Sequence, residues 1–487
     1  MPLRIAALLS LTALLSAAEL QDDLAARRAN LMRKLGPDTI FVVKAAPHRV
    51  YSLDVDYEYR QDSNFYYLTG IDQPDGTLVL MPGNQGRQAF LFIAPKDPVR
   101  EHREGRRLTV AEAKARSGIE DVHSNEALDN FLEMLLSGQA WQPRDQRYTS
   151  VPPRDFDPFL RSLRDGTARL AVALDQPLNL QGPINPVLVW ANELRDRFPG
   201  LAVRNATPLV HDLRQVKSLY ERKLLTRSAD VSMEAHLAGM RAARPGAAEY
   251  QVKAAIEEVY RRRGADGPGY PSITGSGPNA TILHYAKADR RMDAGDLMLV
   301  DASASVDYYT VDITRTYPVN GKFTQAQKDI YNIVLEAQAQ AEKVARPGSR
   351  PMDLHQKTVE VIKQGLLRLG LITDTTGDQY RTWYTHGSVH GLGIDVHDVG
   401  DRNGQMVPGW AFVIEPGIYI RADGLDSLPK TAENLAFIEK VKPAFEKYKN
   451  IAVRIEDSYI LTEQGLERLS NKVPRTVEEI EAFLSKR

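Results

Sequence analysis

Four carboxylates stand where the surrounding sequence calls for apolar side chains. Asp301 closes the run Leu297-Met298-Leu299-Val300, Asp312 lies in "TVDITRT", Glu415 in "AFVIEPGIYI" and Glu456 in "IAVRIEDSYIL". A buried carboxylate is costly unless a cation or several hydrogen bonds compensate it. Any one of the four, taken alone, reads as a structural ion pair or a strand-end charge. Four of them with at least one imidazole read as ligands for two divalent cations, whose combined charge balances the four anions. Oxygen-rich ligation with histidine suits Mn²⁺, Co²⁺ or Zn²⁺, and affinity order does not choose among them. A water shared by two such ions loses a proton near neutral pH and becomes a nucleophile, while the ions polarise a carbonyl.

The imidazoles concentrate in "HGSVHGLGIDVHD", residues 386–398, which holds His386, His390 and His397, three of the chain's ten histidines. Its glycines and β-branched tail argue against a helix, so the four-residue step from His386 to His390 is not a helical ligand pair. If the segment is extended, both rings share a face. By the same parity Arg454 shares a face with Glu456, and Thr314 shares one with Asp312, where its hydroxyl is expected to support the carboxylate. The ten residues between Asp301 and Asp312 fit two strands of a hairpin. The chain has no cysteine, which excludes disulfides, zinc-thiolate sites and a thiol nucleophile. There is no His-Glu-x-x-His, Gly-x-Ser-x-Gly or phosphate-binding loop.

The elements that must position these groups come in a repeat. A long helical pattern ends at Ala243-Arg244-Pro245-Gly246, and a second helix follows with Val252, Ala255, Ile256, Val259 and Tyr260 on one face. The tetrapeptide recurs at Ala345-Arg346-Pro347-Gly348, an offset of 102. The helix before it has Thr324 and Gln327 at capping-box spacing and Ile330, Ile333, Val334 and Ala337 on one face, and a helical pattern from Met352 to Leu369 follows. Each helix pair leads into strand-like sequence carrying the candidate ligands, which predicts an internally duplicated, pseudo-twofold α+β unit.

Upstream, from about Leu20 to Asn205, the runs "TIFVVK" (39–44), "TLVLM" (77–81), "AFLFIA" (89–94) and "LAVAL" (170–174) alternate with helical patterns, which predicts an α/β domain. The polar stretch from Gln139 to Arg154 reads as a surface loop. Two domains suit a chain of 487 residues. With 43% hydrophobic residues, 26% charged residues and a net charge of −1, nothing points to nucleic acid or an anionic membrane as partner. Arg4 precedes the apolar run Ile5–Ala18, which ends in Ser16-Ala17-Ala18. This reads as an export signal over residues 1–18, too short to span a bilayer, and predicts a periplasmic or secreted protein, or a cytoplasmic one if the segment is not cleaved.

"NATILHYAKADRRMDAGDLMLVDASASVDYYTVDITRTYPVNG", "HGSVHGLGIDVHDVG", "VIEPGIYI" and "VRIED" resemble, in order and spacing, the aminopeptidase P branch of the pita-bread metallopeptidases. "YRQDSNFYYLTGIDQPDG" (59–76) resembles that family's amino-terminal domain. The resemblance implies an N-terminal α/β domain over 19–210 and a pita-bread catalytic domain over 211–487. It implies a dinuclear centre on Asp301, Asp312, His390, Glu415 and Glu456, usually of manganese, with Asp312 and Glu456 bridging. His284 matches the family histidine near the scissile bond, and His397 the one that stabilises the tetrahedral intermediate. Glu415 matches the proton shuttle, while His386 and Arg454, with Tyr419, match positions lining the proline side. The implied substrates are peptides with proline at position 2, cleaved before the proline, and a homo-oligomer, dimer or tetramer, is expected.

Three positions depart from the family pattern. Ser303 replaces a glycine, Val389 replaces a small residue before the metal histidine, and Arg103-Glu104 replace aromatics before Gly105-Arg106-Arg107. The last bears on peptide length, because those aromatics cap the substrate in relatives. A prolidase-type dipeptidase uses the same fold and ligands and is the nearest alternative. Creatinase-like enzymes do not need the five ligands, methionine aminopeptidases usually lack so long an amino-terminal domain, and a catalytically silent peptide-binding module would typically have lost ligands.

Overall fold

The computed structural model describes residues 2–143, 150–174 and 180–486, with side chains from residue 17 onward. The chain forms two compact units, Met1–Arg214 and Gln215–Arg487. The first begins with helix α1 (Pro2–Leu35). Residue 1 and the side chains before residue 17, on which most of the export-signal reading rests, lie outside the described residues. No helix among the described residues is long and apolar enough to cross a membrane.

The first unit is organised by six strands: β1 (Thr39–Lys44), β2 (Thr77–Leu80), β3 (Ala89–Ile93), β4 (Asp121–Ser124), β5 (Ala168–Val172) and β6 (Leu201–Asn205). They form one mixed sheet in the order β4-β3-β2-β1-β5-β6. All four predicted runs lie in it, because near-continuous apolar sequence marks strands covered on both faces. The stretch from Gln139 to Arg154 departs from its loop reading. Trp141 and Val151 bridge one another and are both buried, and Trp141 packs among Phe90, Phe92, Phe131 and His123. One aromatic ring anchors a segment whose polar neighbours conceal it. Residues 144–149 of that stretch lie outside the described residues.

The second unit repeats itself. Helices α2 (Leu219–Ala242) and α3 (Glu249–Arg262) precede β7 (Ile273–Ser276), β8 (Leu297–Asp301) and β9 (Thr314–Pro318). Helices α4 (Gln325–Val344) and α5 (Pro351–Leu369) then precede β10 (Ala411–Ile414), β11 (Gly417–Tyr419), β12 (Ala452–Arg454), β13 (Asp457–Thr462) and β14 (Gly465–Arg468). The strands pair antiparallel as β7-β8-β9, β10-β13-β14 and β11-β12. The expected capping box opens α4, with Thr324 and Gln327 bonded reciprocally. Val252, Ile256, Val259 and Tyr260 are buried in α3, as are Ile330, Ile333, Val334 and Ala337 in α4.

The two "ARPG" turns are equivalent in their backbone bonding. Gly246 N–H donates to Met292 and Gly348 N–H to Met406, both at 2.8 Å. Met292 N–H returns to Ala247 (2.9 Å) and Met406 N–H to Ser349 (2.8 Å). Both glycines have left-handed backbones (φ +83° and +90°) that a side chain would strain. The halves join at a seam where Thr314 N–H donates to Glu456 C=O (3.3 Å) and Glu456 N–H donates to Thr314 C=O (3.1 Å).

Candidate metal centre

The apolar runs do not continue through their carboxylates; the strands break there. Asp301 is the last residue of β8 and Asp312 precedes β9. Glu415 falls between β10 and β11, where Pro416 removes a ladder donor, and Glu456 sits between β12 and β13. Asp301 thus ends a ladder, paired with Ile273 and Thr314, while the other three fall outside the strands, Glu456 in an isolated bridge to Thr314. Between His386 and Asp398 the backbone bends repeatedly, and only its Ser388–Leu392 part runs along β10. Glu415 N–H donates to Ser388, Val413 N–H to His390 and Leu392 N–H to Ala411. Extension is therefore local, yet both His386 and His390 lie 3.6 Å from Glu415.

Ligand atoms of Asp301, Asp312 and Glu456 lie within 4.8 Å of one another, as do those of His390, Glu415 and Glu456, and of Asp312, His390 and His397. His390 Nδ1–H donates to the Gly391 carbonyl at 3.0 Å. That leaves the Nε2 lone pair facing oxygens of Asp312, Glu415 and Glu456, each 3.6 Å away. Tyr270 Oη lies 2.7 Å from Asp301 Oδ1 and 2.5 Å from Asp312 Oδ1. A phenol has one proton to donate, so in the metal-free protein the second contact calls for a proton on a carboxylate.

The electrostatics run the same way. Burial, then the neighbouring Glu456 and Asp301 charges, hold the Asp312 carboxyl well above its usual range. Burial and Glu456 push Glu415 up to about 8. Burial opposes protonation of His390, but Glu456 and Glu415 outweigh it and raise its pKa. Burial and the Arg454 charge bring His386 down to about 3, and burial with His390 and His284 brings His397 down to about 4. Glu456 Oε1, though buried, accepts no hydrogen bond. Clustered anions, an open imidazole lone pair and an orphaned buried carboxylate oxygen fit divalent cations.

On one flank, Arg454 Nη2 donates to Asp301 Oδ2 (2.5 Å) and Nη1 to Tyr419 Oη (2.9 Å), which lies 2.8 Å from His386 Nε2. His397 is exposed, its ring centroid 4.1 Å from that of His390, and His284 is exposed on the loop following the turn Gly277–Thr281. Thr314 differs from expectation: its hydroxyl donates to Glu456 Oε2 (2.7 Å), not to Asp312, and accepts from Arg454 Nε (3.1 Å). The strand begins only at Thr314, so Asp312 lies off the ladder and parity does not relate them. Sequence reasoning missed Tyr270. Its loop, "DGPGYPS", carries no spacing that would single it out.

Residues 223–463 match the model of metallopeptidase family M24, and residues 24–142 match that of the aminopeptidase P N-terminal domain. A Xaa-Pro aminopeptidase of Escherichia coli is 33% identical over 94% of this chain and 96% of its own length. One of Haemophilus influenzae is 31% identical over 96% and 97%. The chain belongs to family M24, in its aminopeptidase P branch. The E. coli aminopeptidase P solved with the inhibitor Pro-Leu aligns with a TM-score of 0.78 at 31% identity, covering 96% of this chain and 98% of that one. The second unit accordingly has the pita-bread fold.

Two departures from the family pattern fall on packing. Ser303 is fully buried, and its carbonyl accepts from Gly269 N–H at 2.8 Å. Val389 packs on the cluster containing Trp410 and Phe412. The third, Arg103 and Glu104, ends a helix (Pro98–Glu104) with no buried residue.

Proposed function

We propose that this chain hydrolyses the first peptide bond of peptides whose second residue is proline. The reading is carried by five carboxylate and imidazole groups converging at the seam of a chain similar along nearly its whole length to Xaa-Pro aminopeptidases. Asp301, Asp312, His390, Glu415 and Glu456 hold two divalent ions, manganese by preference and cobalt or zinc otherwise. When bound, such ions polarise the scissile carbonyl and lower the pKa of water.

The chain's own groups do the rest. Glu415 takes a proton from the attacking water and delivers it to the proline nitrogen, which leaves as a secondary amine. His284 lies beside the scissile bond, and His397 donates to the oxygen that gains charge. His386, Tyr419 and Arg454 form the wall facing the proline ring. Proline's tertiary amide has no N–H and a fixed φ, so sites that grip an extended backbone reject it, and selection falls to this wall. The Pro-Leu inhibitor of the E. coli relative supports such a wall. Residues 1–18 direct export, and the enzyme works as a homo-oligomer.

The test is a panel of Xaa-Pro-Xaa tripeptides and Xaa-Pro dipeptides with metal-loaded protein. Release of the first residue from tripeptides, abolished by chelator and by Glu415→Ala, is expected. Cleavage of dipeptides alone would reassign the chain as a prolidase-type dipeptidase. Intact Xaa-Pro substrates beside cleavage of unrelated ones would reject both readings.

A further inference from the structure

The halves of the second unit repeat at the offset of 102 that separates Ala243 from Ala345. At that offset His236 of α2 corresponds to Gln338 of α4. Both are completely buried, and each directs a nitrogen at backbone beside the carboxylates of its own half. His236 Nε2–H donates to the Ala302 carbonyl at 2.9 Å, one residue after Asp301. Ala302 N–H in turn donates to the carbonyl of Ile313, one residue after Asp312, at 3.2 Å. Gln338 Nε2 donates to the Ile414 carbonyl at 2.9 Å and the Ile455 carbonyl at 3.3 Å, the residues immediately before Glu415 and Glu456.

The placement has a physical reason. Wherever a strand breaks to present a carboxylate, a neighbouring carbonyl loses its ladder partner, and a buried carbonyl left open is costly. One side chain from the first helix of each pair braces both interrupted segments of its half, Gln338 by bonding each directly and His236 by bonding Ala302, whose N–H ties on to Ile313. It compensates the break and also fixes how far apart the two carboxylates stand. Two different residue types perform one geometric task at equivalent positions, which points to the task rather than to a shared chemistry of the side chains.

We infer that His236 and Gln338 are a matched pair of positioning residues, each setting the spacing of one half's carboxylates and through it the affinity of one metal position. This rests on the dinuclear reading above. The test titrates metal-free protein with Co²⁺, followed by visible absorption and calorimetry.

Wild type should bind two ions. His236→Leu and Gln338→Leu should each weaken a different binding step by roughly tenfold, the scale on which groups behind metal ligands act. His236→Gln, which places the partner half's own donor at this position, should restore the lost step to within about twofold. If His236→Leu fails to fold, His236→Asn, which keeps an amide but falls short of Ala302, replaces it in the comparison. Both steps unchanged in both leucine variants, or equal weakening of both steps without rescue by glutamine, would overturn the inference. Wild type that binds no Co²⁺ would instead overturn the metal-centre reading, and the pair's proposed role with it.

Discussion

Stripping the metals should set the carboxylate cluster against the fold, increasingly so as the pH rises. Glu415 has an ordinary pKa of 4.5, raised to about 8 in the folded, metal-free chain by burial and Glu456. Between those values the folded chain keeps a proton that the unfolded chain releases, so stability falls with rising pH: the loss begins near the lower value and is complete above the upper one. Asp312 acts in the same direction. For Glu415 alone, a gap of about 3.5 pH units at ~1.36 kcal/mol each gives on the order of 5 kcal/mol by pH 9. The depressed His386 and His397 act in the opposite direction below the ordinary histidine value of 6.5, so the carboxylate loss stands alone above it. About one of those pH units falls between pH 7 and pH 9 for Glu415, and at ~2–4 °C per kcal/mol the melting temperature should drop there by on the order of 4 °C. Scanning calorimetry of chelated protein at pH 5, 7 and 9 measures this directly. Mn²⁺ should restore most stability at pH 9 and least at pH 5, and Glu415→Gln should flatten the metal-free profile. A metal-free melting temperature that stays level or climbs from pH 7 to pH 9 would refute the reasoning.

Thr314→Val keeps the shape at the seam but removes the hydroxyl between Glu456 and Arg454. Calorimetric titration should show metal binding weakened by roughly ten- to a hundredfold with little change in secondary structure. Asp457 and Arg315 form a fully buried ion pair at 2.7 Å, and the Arg315 charge, with Arg468 and Arg475, holds the Asp457 carboxyl low despite its burial. Asp457→Asn leaves that guanidinium uncompensated and should cost about 3–5 kcal/mol in urea unfolding. An unchanged midpoint would contradict the pair's importance.

The site was legible because each carboxylate interrupts a hydrophobic run, and buried charge in a strand has few explanations. What sequence could not supply was the interruption itself. Read as one run, "AFVIEPGIYI" is a strand, whereas in the fold Pro416 and Glu415 split it, and the split is what presents the carboxylate. The same limit misdirected Thr314, since parity holds only within a strand and this one starts at Thr314. Tyr270 was invisible because its two aspartate partners lie 31 and 42 residues away and nothing local encodes them. The duplicated "ARPG" turns, by contrast, were legible because a left-handed glycine and its flanking helices leave a compact local signature.

The seam between Thr314 and Glu456 also bears on how such a protein could arise. Each half brings two carboxylates; one cluster, His390, Glu415 and Glu456, lies wholly in the second half, whereas the other two draw on both. A gene encoding a single half would therefore assemble the full set of clusters only by pairing two identical copies, with the same residues on both sides of the axis. Fusing the copies into one chain removes that constraint. Aspartates can then be kept on one side while the other takes up glutamates and a histidine, so the two faces of the centre become free to perform different tasks on one asymmetric peptide.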